Sequence, residues 1–253
     1  MTFMETILIA FSMFSALPVP QTAWNEKNMK YTMAAFPLVG AVTGLFCVFW
    51  ALAAERLALP AVLKGAGLCV LPVLITGGIH LDGYADTWDA LASHGTTEKK
   101  QSILKDPHLG TFAVIHLCVY FLLSFALWTS LPAFRIIPVI LCFTLSRTLS
   151  GLSVASFTIR PGSGLVRTFS DALDKTRVRN VLIVLAVIQA VLLCIFGGWL
   201  MVPAAIGVFL VYRHLTASQF GGLSGDLSGW FLQTAELWML GAMFLQQTAE
   251  AAL

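Results

Sequence analysis

The sequence predicts an all-α integral membrane protein, folded as one polytopic helical bundle. Its 253 residues are 58% apolar and 11% charged, and the mean hydropathy is +0.83. Soluble domains carry about 25% charged residues, so the composition excludes an ordinary soluble domain. The apolar residues form long runs separated by short polar loops, with neither an internal repeat nor a low-complexity tail. We therefore expect a single membrane domain that covers residues 1–253.

About seven apolar segments are long enough to cross a bilayer as helices, since roughly 20 residues at about 1.5 Å each span its hydrocarbon core. These segments lie near residues 31–53, 61–79, 111–131, 136–157, 181–199, 202–220 and 228–248. A shorter apolar segment at 3–17 precedes them and ends at Pro18 and Pro20. It is predicted to be a helix that spans the membrane, re-enters it or lies at its interface.

Basic residues are concentrated in alternate loops, which lie at 21–30, 80–110, 160–180 and 216–227. Alternate loops emerge on the same side of a membrane, and Arg147 and Arg213 lie near that side. Every Lys and Arg belongs to this set except Arg56, Lys64 and Arg135. Because positively charged loops stay in the cytoplasm, this side, which also holds every Asp, is predicted to be cytoplasmic and active. The net charge of +2 does not suggest nucleic-acid binding.

The most distinctive stretch is the segment 77–110, which holds four of the seven aspartates. Asp82, Asp86 and Asp89 are spaced i, i+4, i+7, so on a helix they fall within about 60° of one another on one face. Three carboxylates on one face repel one another, and a hard divalent cation such as Mg²⁺ or Mn²⁺ would relieve the repulsion. The alternative is a solvated acidic helix start favoured by the helix dipole, although Asp89 lies well beyond the first turn.

Three neighbours of these aspartates are further candidates. His80 immediately precedes the acidic run and is interpreted as a ligand, a proton-transfer group or a hydrogen-bonded structural residue. Lys105 and Asp106 bring a cation and another carboxylate. Lys105 would hold a phosphate or remain a solvated loop lysine.

Two ionisable residues fall inside predicted spans, where an unpaired charge is costly and function is the default interpretation. Arg147 lies in the segment 136–157 and is expected to pair with a carboxylate or a substrate phosphate, since its planar guanidinium fits either. Glu236 lies about three turns into the last span. It would complete the acidic site or pair with Arg147.

A second polar cluster, GGLSGDLSGWFLQTAELW, occupies residues 221–238. Its glycines, including Gly222 and Gly225, could present backbone N–H groups to an anion. Asp226 lies at the expected start of the last helix, where its alternative role is that of an N-cap.

Carboxylates, a bound metal and cationic groups at a membrane surface together suggest phosphoryl transfer. The metal would neutralise phosphate charge, and a carboxylate would take the proton of an attacking hydroxyl. The same residues could equally form a cation pathway.

At these residues the chain resembles the cobalamin synthase family, the adenosylcobinamide-GDP ribazoletransferases. The resemblance covers essentially the whole chain and is carried by LPVP (17–20), FPLVG (36–40), GGIHLDGYADTWDA (77–90), KDPHLG (105–110), SR (146–147) and GGLSGDLSGWFLQTAE (221–236). Two positions depart from the family pattern, Ala90 in place of the common Gly and Ser224 in place of the usual Thr. Neither removes a charged group.

The resemblance implies that α-ribazole, or its 5′-phosphate, attacks the cobinamide-side phosphate of adenosylcobinamide-GDP and releases GMP. It implies a Mg²⁺-dependent enzyme of the prokaryotic cytoplasmic (inner) membrane, embedded in the lipid bilayer, and allows association with other enzymes of the cobalamin pathway. Asp82, Asp86 and Asp89 would bind the metal, with one of them or Asp106 as general base. The catalytic candidates are thus Asp82, Asp86, Asp106 and Arg147, and the substrate-binding candidates are His80, Lys105, Gly222, Gly225, Asp226 and Glu236.

Three other classes of protein are alternatives. A CDP-alcohol phosphotransferase would share the chemistry but not the substrate, and the chain lacks the D-G-x-x-A-R arrangement of that family. A cation-coupled transporter would carry carboxylates at the membrane midplane on broken helices. A structural scaffold would not explain an aspartate face.

Overall fold

The computed structural model describes residues 3–252, and this part of the chain forms helices without a single β-strand. The all-α prediction is therefore confirmed. In chain order the helices are α1 (Phe3–Phe14), α2 (Glu26–Met29), α3 (Thr32–Arg56), α4 (Ala61–Thr76), α5 (Ile79–Ala92), α6 (Thr97–Ile103), α7 (Thr111–Ser130), α8 (Ile136–Ser156), α9 (Leu165–Ala172), α10 (Lys175–Ile195), α11 (Met201–Ser218) and α12 (Gly225–Ala251).

Five of the described helices are long and apolar enough to cross a membrane, namely α3, α7, α8, α10 and α11. α4 and α5 meet at an angle of 96° and count as a sixth crossing if they form one broken span. α12 has 27 residues but is not among the sufficiently apolar helices, and many of its residues are buried by its neighbours. The polytopic bundle is confirmed, with five or six crossings by length and composition where about seven were predicted.

The N-terminal helix α1 does not reach across the bilayer. Its 12 residues extend for about 18 Å, compared with about 30 Å of hydrocarbon. The Thr6 hydroxyl donates to the Asn28 carbonyl at 3.2 Å, and the Ala16 N–H donates to the Ile75 carbonyl at 2.7 Å. These bonds tie α1 to α2 and to the end of α4, and the short length favours the re-entrant or interfacial alternative.

The four basic loops lie together at one end of the bundle, which we call the polar end. Hydrogen bonds join them in pairs, from the Asp174 N–H to the Lys30 carbonyl (3.2 Å), from Gln101 Nε2 to the Phe220 carbonyl (2.8 Å) and from the Arg160 N–H to the Leu223 carbonyl (3.0 Å). At the opposite end, Arg135 bonds to the Gly197 carbonyl and to Glu250. The predicted common side of the four loops is therefore confirmed.

A pair of glycines turns the chain sharply between α4 and α5. Gly77 and Gly78 both have positive φ, 66° and 79°, in the left-handed region that side chains other than glycine rarely adopt. Their N–H groups close α4 by donating to the carbonyls of Leu74 and Val73. As a result α5 runs at 96° to α4 and packs against the N-terminal parts of α7 and α12.

Glycine also permits the close crossing of α5 and α12. A Cβ on Gly83 would lie 2.7 Å from the carbonyl oxygen of Asp226, and a Cβ on Gly229 would lie 2.7 Å from that of His80. Small residues let two membrane helices approach until their backbones touch. The crossing fixes His80 and Asp82 beside Asp226.

Candidate active site

A cavity of about 330 Å³ lies at the polar end between α1, α3, α5, α8, α9 and α12. One side of it is aromatic and is formed by Phe14, Phe36 and Phe169. The charged side chains that line it are Asp82, Lys105, Arg160 and Asp226, and the other polar side chains are His80, Ser150, Ser163, Ser224 and Ser228. The cavity thus combines carboxylates and cations with an apolar wall, as ligand sites usually do.

The predicted acidic helix face is present on α5. Asp82 lines the cavity, and Asp86 lies one turn further along, half-buried. Burial and then the negative charges of Asp82, Asp226 and Asp89 together raise the pKa of Asp86 to about 7. None of the ion pairs among residues 3–252 includes Asp82, Asp86 or Asp89. The face is therefore a concentration of negative charge without cationic partners.

A preassembled metal shell is absent from the described residues, in which no three His, Cys, Asp or Glu side chains are grouped to hold one ion. The Asp89 carboxylate lies against Gly110, where a Cβ would be only 2.0 Å from its Oδ2. Coordination by Asp82, Asp86 and Asp89 together would thus require their side chains to rotate. Unpaired carboxylate oxygens fit the preference of Mg²⁺, and the metal site remains a prediction.

His80 is buried in the first turn of α5, with its ring 6.4 Å from that of Phe14 and 6.0 Å from that of Phe36. Burial lowers the pKa of His80 well below its ordinary value, and the positive charge of Arg147 lowers it further. Its Nε2 has no hydrogen-bond partner among the described residues. The neutral ring therefore lines the cavity with a nitrogen that is free to bind a ligand, as the substrate-binding prediction requires. The alternative, a structural histidine held by hydrogen bonds, is not supported at Nε2.

Lys105 and Asp106 are adjacent in sequence but only Lys105 lines the cavity. The exposed Asp106 carboxylate accepts the backbone N–H of His108 at 3.0 Å and pairs with its Nδ1 at 2.8 Å. The hydrogen bond from the His108 backbone lowers the pKa of Asp106, with further help from the His108 side chain. Because a lowered pKa weakens a base, the geometry favours a turn-forming role, and the general-base role remains a prediction.

The second polar cluster divides into residues that reach the cavity and residues that do not. Gly225 and Asp226 line it at the first turn of α12, where helix N–H groups point outward. Ser224, not Asp226, is the N-cap, since its hydroxyl accepts the Leu227 N–H at 3.4 Å. The alternative N-cap role of Asp226 is therefore wrong. The Gly222 N–H already donates to a carbonyl of α11, at 3.0 Å, so its substrate-binding role remains a prediction that this geometry does not favour.

Arg147 and Glu236 form a buried ion pair between α8 and α12. The Ser146 hydroxyl donates to Glu236 at 2.8 Å, and Arg147 Nη1 also lies 3.3 Å from the Phe143 carbonyl. Neither Arg147 nor Glu236 lines the cavity. The pairing alternative is confirmed. The catalytic role of Arg147 and the substrate-binding role of Glu236 remain predictions that this geometry does not favour.

The residue that sequence reasoning missed is Arg160. Its side chain lines the cavity although the residue is only 4% exposed. Burial raises the pKa of Asp226, and the nearby positive charge of Arg160 opposes that rise. In the sequence Arg160 is one of several basic residues in a polar loop. The local signal was Pro161 followed by Gly162 and Gly164, both with positive φ, which turn the loop back toward α12.

Comparisons with known proteins agree with these features. The profile of the family described as cobalamin-5-phosphate synthase matches residues 6–244. A protein from Lachnoclostridium phytofermentans named adenosylcobinamide-GDP ribazoletransferase is 40% identical over 94% of this chain and 92% of its own length. A relative with the same name from Pseudomonas putida strain W619 is 35% identical over 90% of this chain and 94% of its own length. Another, from Clostridium botulinum strain Alaska E43, is 28% identical over 91% of this chain and 93% of its own length. No solved structure matches at a significant level. The chain therefore belongs to the cobalamin-5-phosphate synthase family.

Proposed function

We propose that this protein is an adenosylcobinamide-GDP ribazoletransferase. A hydroxyl of α-ribazole, or of its 5′-phosphate, attacks the cobinamide-side phosphorus of adenosylcobinamide-GDP. The new P–O bond forms as the bond between the two phosphates breaks, and GMP leaves with the electron pair. The observation that carries this proposal is the cavity at the polar end, where carboxylates and cations converge in a chain 40% identical to a relative of that name.

The carboxylates of the cavity supply the proton acceptor. Asp82 and Asp226 both line the cavity, so either is within reach of a hydroxyl bound there. A divalent cation held by Asp82, Asp86 and Asp89 would supply charge neutralisation on the phosphate. We assign proton transfer to Asp82 first, because it belongs to the unpaired acidic face of α5.

The other side of the cavity suits a large, partly apolar substrate. Phe14, Phe36 and Phe169 form one contiguous aromatic wall, with ring centroids of Phe14 at 4.3 Å from Phe36 and 5.8 Å from Phe169. Such a wall excludes water from the reacting phosphate, which strengthens every electrostatic contact inside the cavity.

The orientation proposed for the protein places the polar end in the cytoplasm of a prokaryote, with the bundle in the cytoplasmic membrane. Support comes from the basic loops, which share this end, while Arg56, Lys64 and Arg135 lie toward the other. Nucleotide-activated substrates and Mg²⁺ would then be on the same side as the cavity.

The test is to incubate the purified protein in lipid nanodiscs with adenosylcobinamide-GDP, α-ribazole and Mg²⁺, and to measure GMP and cobalamin by chromatography. Equal amounts of both products are expected. A parallel reaction with CDP-diacylglycerol and glycerol 3-phosphate tests the CDP-alcohol phosphotransferase alternative. Release of CMP there, without GMP in the first reaction, would reject the proposed function.

A further inference from the structure

The guanidinium of Arg160 is a buried charge that forms no ion pair within the described residues, although it lies close enough to Asp226 to affect the pKa of that carboxyl. Its Nε and Nη1 make no hydrogen bond with the described residues, and Arg160 forms none of their ion pairs. Burial of an unpaired charge costs several kcal/mol. A group that is kept in this state next to a cavity is expected to meet its partner in a ligand.

The backbone holds Arg160 in place from both sides. Its N–H donates to the Leu223 carbonyl at 3.0 Å, and the Leu223 N–H donates to the Thr158 carbonyl at 2.8 Å. Gly222 packs directly against this bridge, since a Cβ there would lie 2.7 Å from the Arg160 nitrogen. Arg160 is therefore positioned before any ligand arrives, which lowers the entropic cost of binding.

A second donor of the same turn is also unsatisfied. Ser163 lines the cavity, and its buried hydroxyl oxygen has no hydrogen-bond partner among residues 3–252. The Ser163 N–H donates to the Arg160 carbonyl at 3.3 Å, so the two side chains belong to one turn. A planar guanidinium and a hydroxyl, with the Lys105 ammonium lining the same cavity, match the oxygens of a phosphate group.

We propose that Arg160 and Ser163 form a phosphate cradle that binds a phosphate of the nucleotide-activated substrate in the cavity. Arg160 contacts two phosphate oxygens through its fork, and Ser163 donates a third hydrogen bond. The assignment of the ligand rests on the proposed function, whereas the anion-binding property rests on the geometry of this turn alone. Gly222 acts as a positioning residue, because any side chain at 222 would displace Arg160.

The experiment compares Arg160→Gln and Arg160→Lys with a matched control, Arg167→Gln, whose arginine is exposed and pairs with Asp171 one turn away. Two dissociation constants are measured for each protein in nanodiscs, for adenosylcobinamide-GDP and for adenosylcobinamide, which lacks the whole GDP group. The ratio of the two gives the contribution of the GDP group, phosphates and guanosine together. Binding of inorganic pyrophosphate is measured separately by calorimetry.

Arg160→Gln is expected to lower the preference for the phosphorylated ligand by about tenfold to a hundredfold, as loss of hydrogen bonds to a charged group does. Arg160→Lys should lose less, because it keeps the charge but not the fork. Pyrophosphate binding should weaken in both, and the control should match the native protein.

An unchanged ligand ratio and unchanged pyrophosphate binding in Arg160→Gln would reject the cradle, even if the variant were less active or less stable. A native protein that releases no GMP would instead reject the proposed function. In that case the pyrophosphate measurement still decides whether Arg160 binds anions. If Arg160→Gln does not fold, the same comparison is made between Arg160→Lys and the native protein.

Discussion

The buried pair of Arg147 and Glu236 gives the sharpest prediction about stability. In the variant Glu236→Gln, Arg147 remains charged inside the bundle and faces only neutral acceptors, which are the amide oxygen at 236, the Ser146 hydroxyl and the Phe143 carbonyl. Removal of one member of a buried ion pair costs about 3–5 kcal/mol. Since 1 kcal/mol shifts Tm by about 2–4 °C in chains of 150–250 residues, Tm should fall by about 6–20 °C.

The double variant Arg147→Met, Glu236→Gln leaves no charge between α8 and α12. It should therefore recover most of the lost stability, because replacement of a buried pair by neutral side chains is often close to neutral. The matched control is Glu250→Gln, which breaks the partly exposed pair with Arg135 at the other end. Exposed pairs contribute about 0–1 kcal/mol, so its Tm should change by no more than a few degrees.

All four proteins are purified in one detergent, and unfolding is followed through the intrinsic fluorescence of the tryptophans, with GMP release measured in parallel. A double variant no more stable than Glu236→Gln would refute the pair as an energetic unit. An equal fall in Tm in Glu236→Gln and Glu250→Gln would refute the conclusion that burial makes the Arg147–Glu236 pair more important to stability than the exposed pair. A stable double variant that releases no GMP, beside a Glu236→Gln variant that still does, would show that Arg147 takes part in the chemistry, as the sequence suggested.

Three further predictions concern the acidic face, the helix crossing and the orientation. Asp82→Asn and Asp86→Asn should each lower kcat/KM by about 10²-fold or more. The double variant should be scarcely worse than either single variant, because the two carboxylates act as a unit. Losses in kcat/KM that multiply, without partial rescue by added Mg²⁺ or Mn²⁺, would mean that the two have separate roles. Gly83→Ala should lower Tm and activity because its Cβ would meet the α12 backbone, whereas Gly207→Ala, with nothing within 4 Å, should not; equal effects would contradict the close crossing. In a background without native cysteines, Thr176→Cys should react with an impermeant maleimide only from the cytoplasmic side of membrane vesicles, and labelling from outside would overturn the orientation.

Sequence reasoning was most successful where a pattern repeats along one element. The i, i+4, i+7 spacing of aspartates correctly placed Asp82 and Asp86 on one helix, and the alternation of basic loops correctly placed those loops at one end. Both patterns are local or statistical, so they do not depend on how the helices pack.

What could not be predicted depends on contacts between distant segments. Whether Arg147 meets Glu236 or a substrate is decided by the packing of α8 against α12, and spacing alone left both open. The burial of Arg160 arises only when its loop pairs with residues 221–224, 60 or more positions away. Asp106 carries the right charge, but the bond to His108 two residues later turns it away from the cavity.

Gly77 and Gly78 form the turn at one end of α5, so a change in that turn would displace the far end of the helix most. Asp82 lies near the fixed end, whereas Asp89 lies about 15 Å along the axis from Ile79, at about 1.5 Å per residue. A change of about 10° in the bend would therefore move Asp89 by about 3 Å and Asp82 by less than about 1 Å. Because α5 would move as one body, such a rotation leaves the distances among Asp82, Asp86 and Asp89 unchanged and alters how closely Asp89 approaches Gly110 at the start of α7. The turn at Gly77 and Gly78 therefore sets where the far end of the acidic face lies, and the helix itself sets the spacing of the carboxylates.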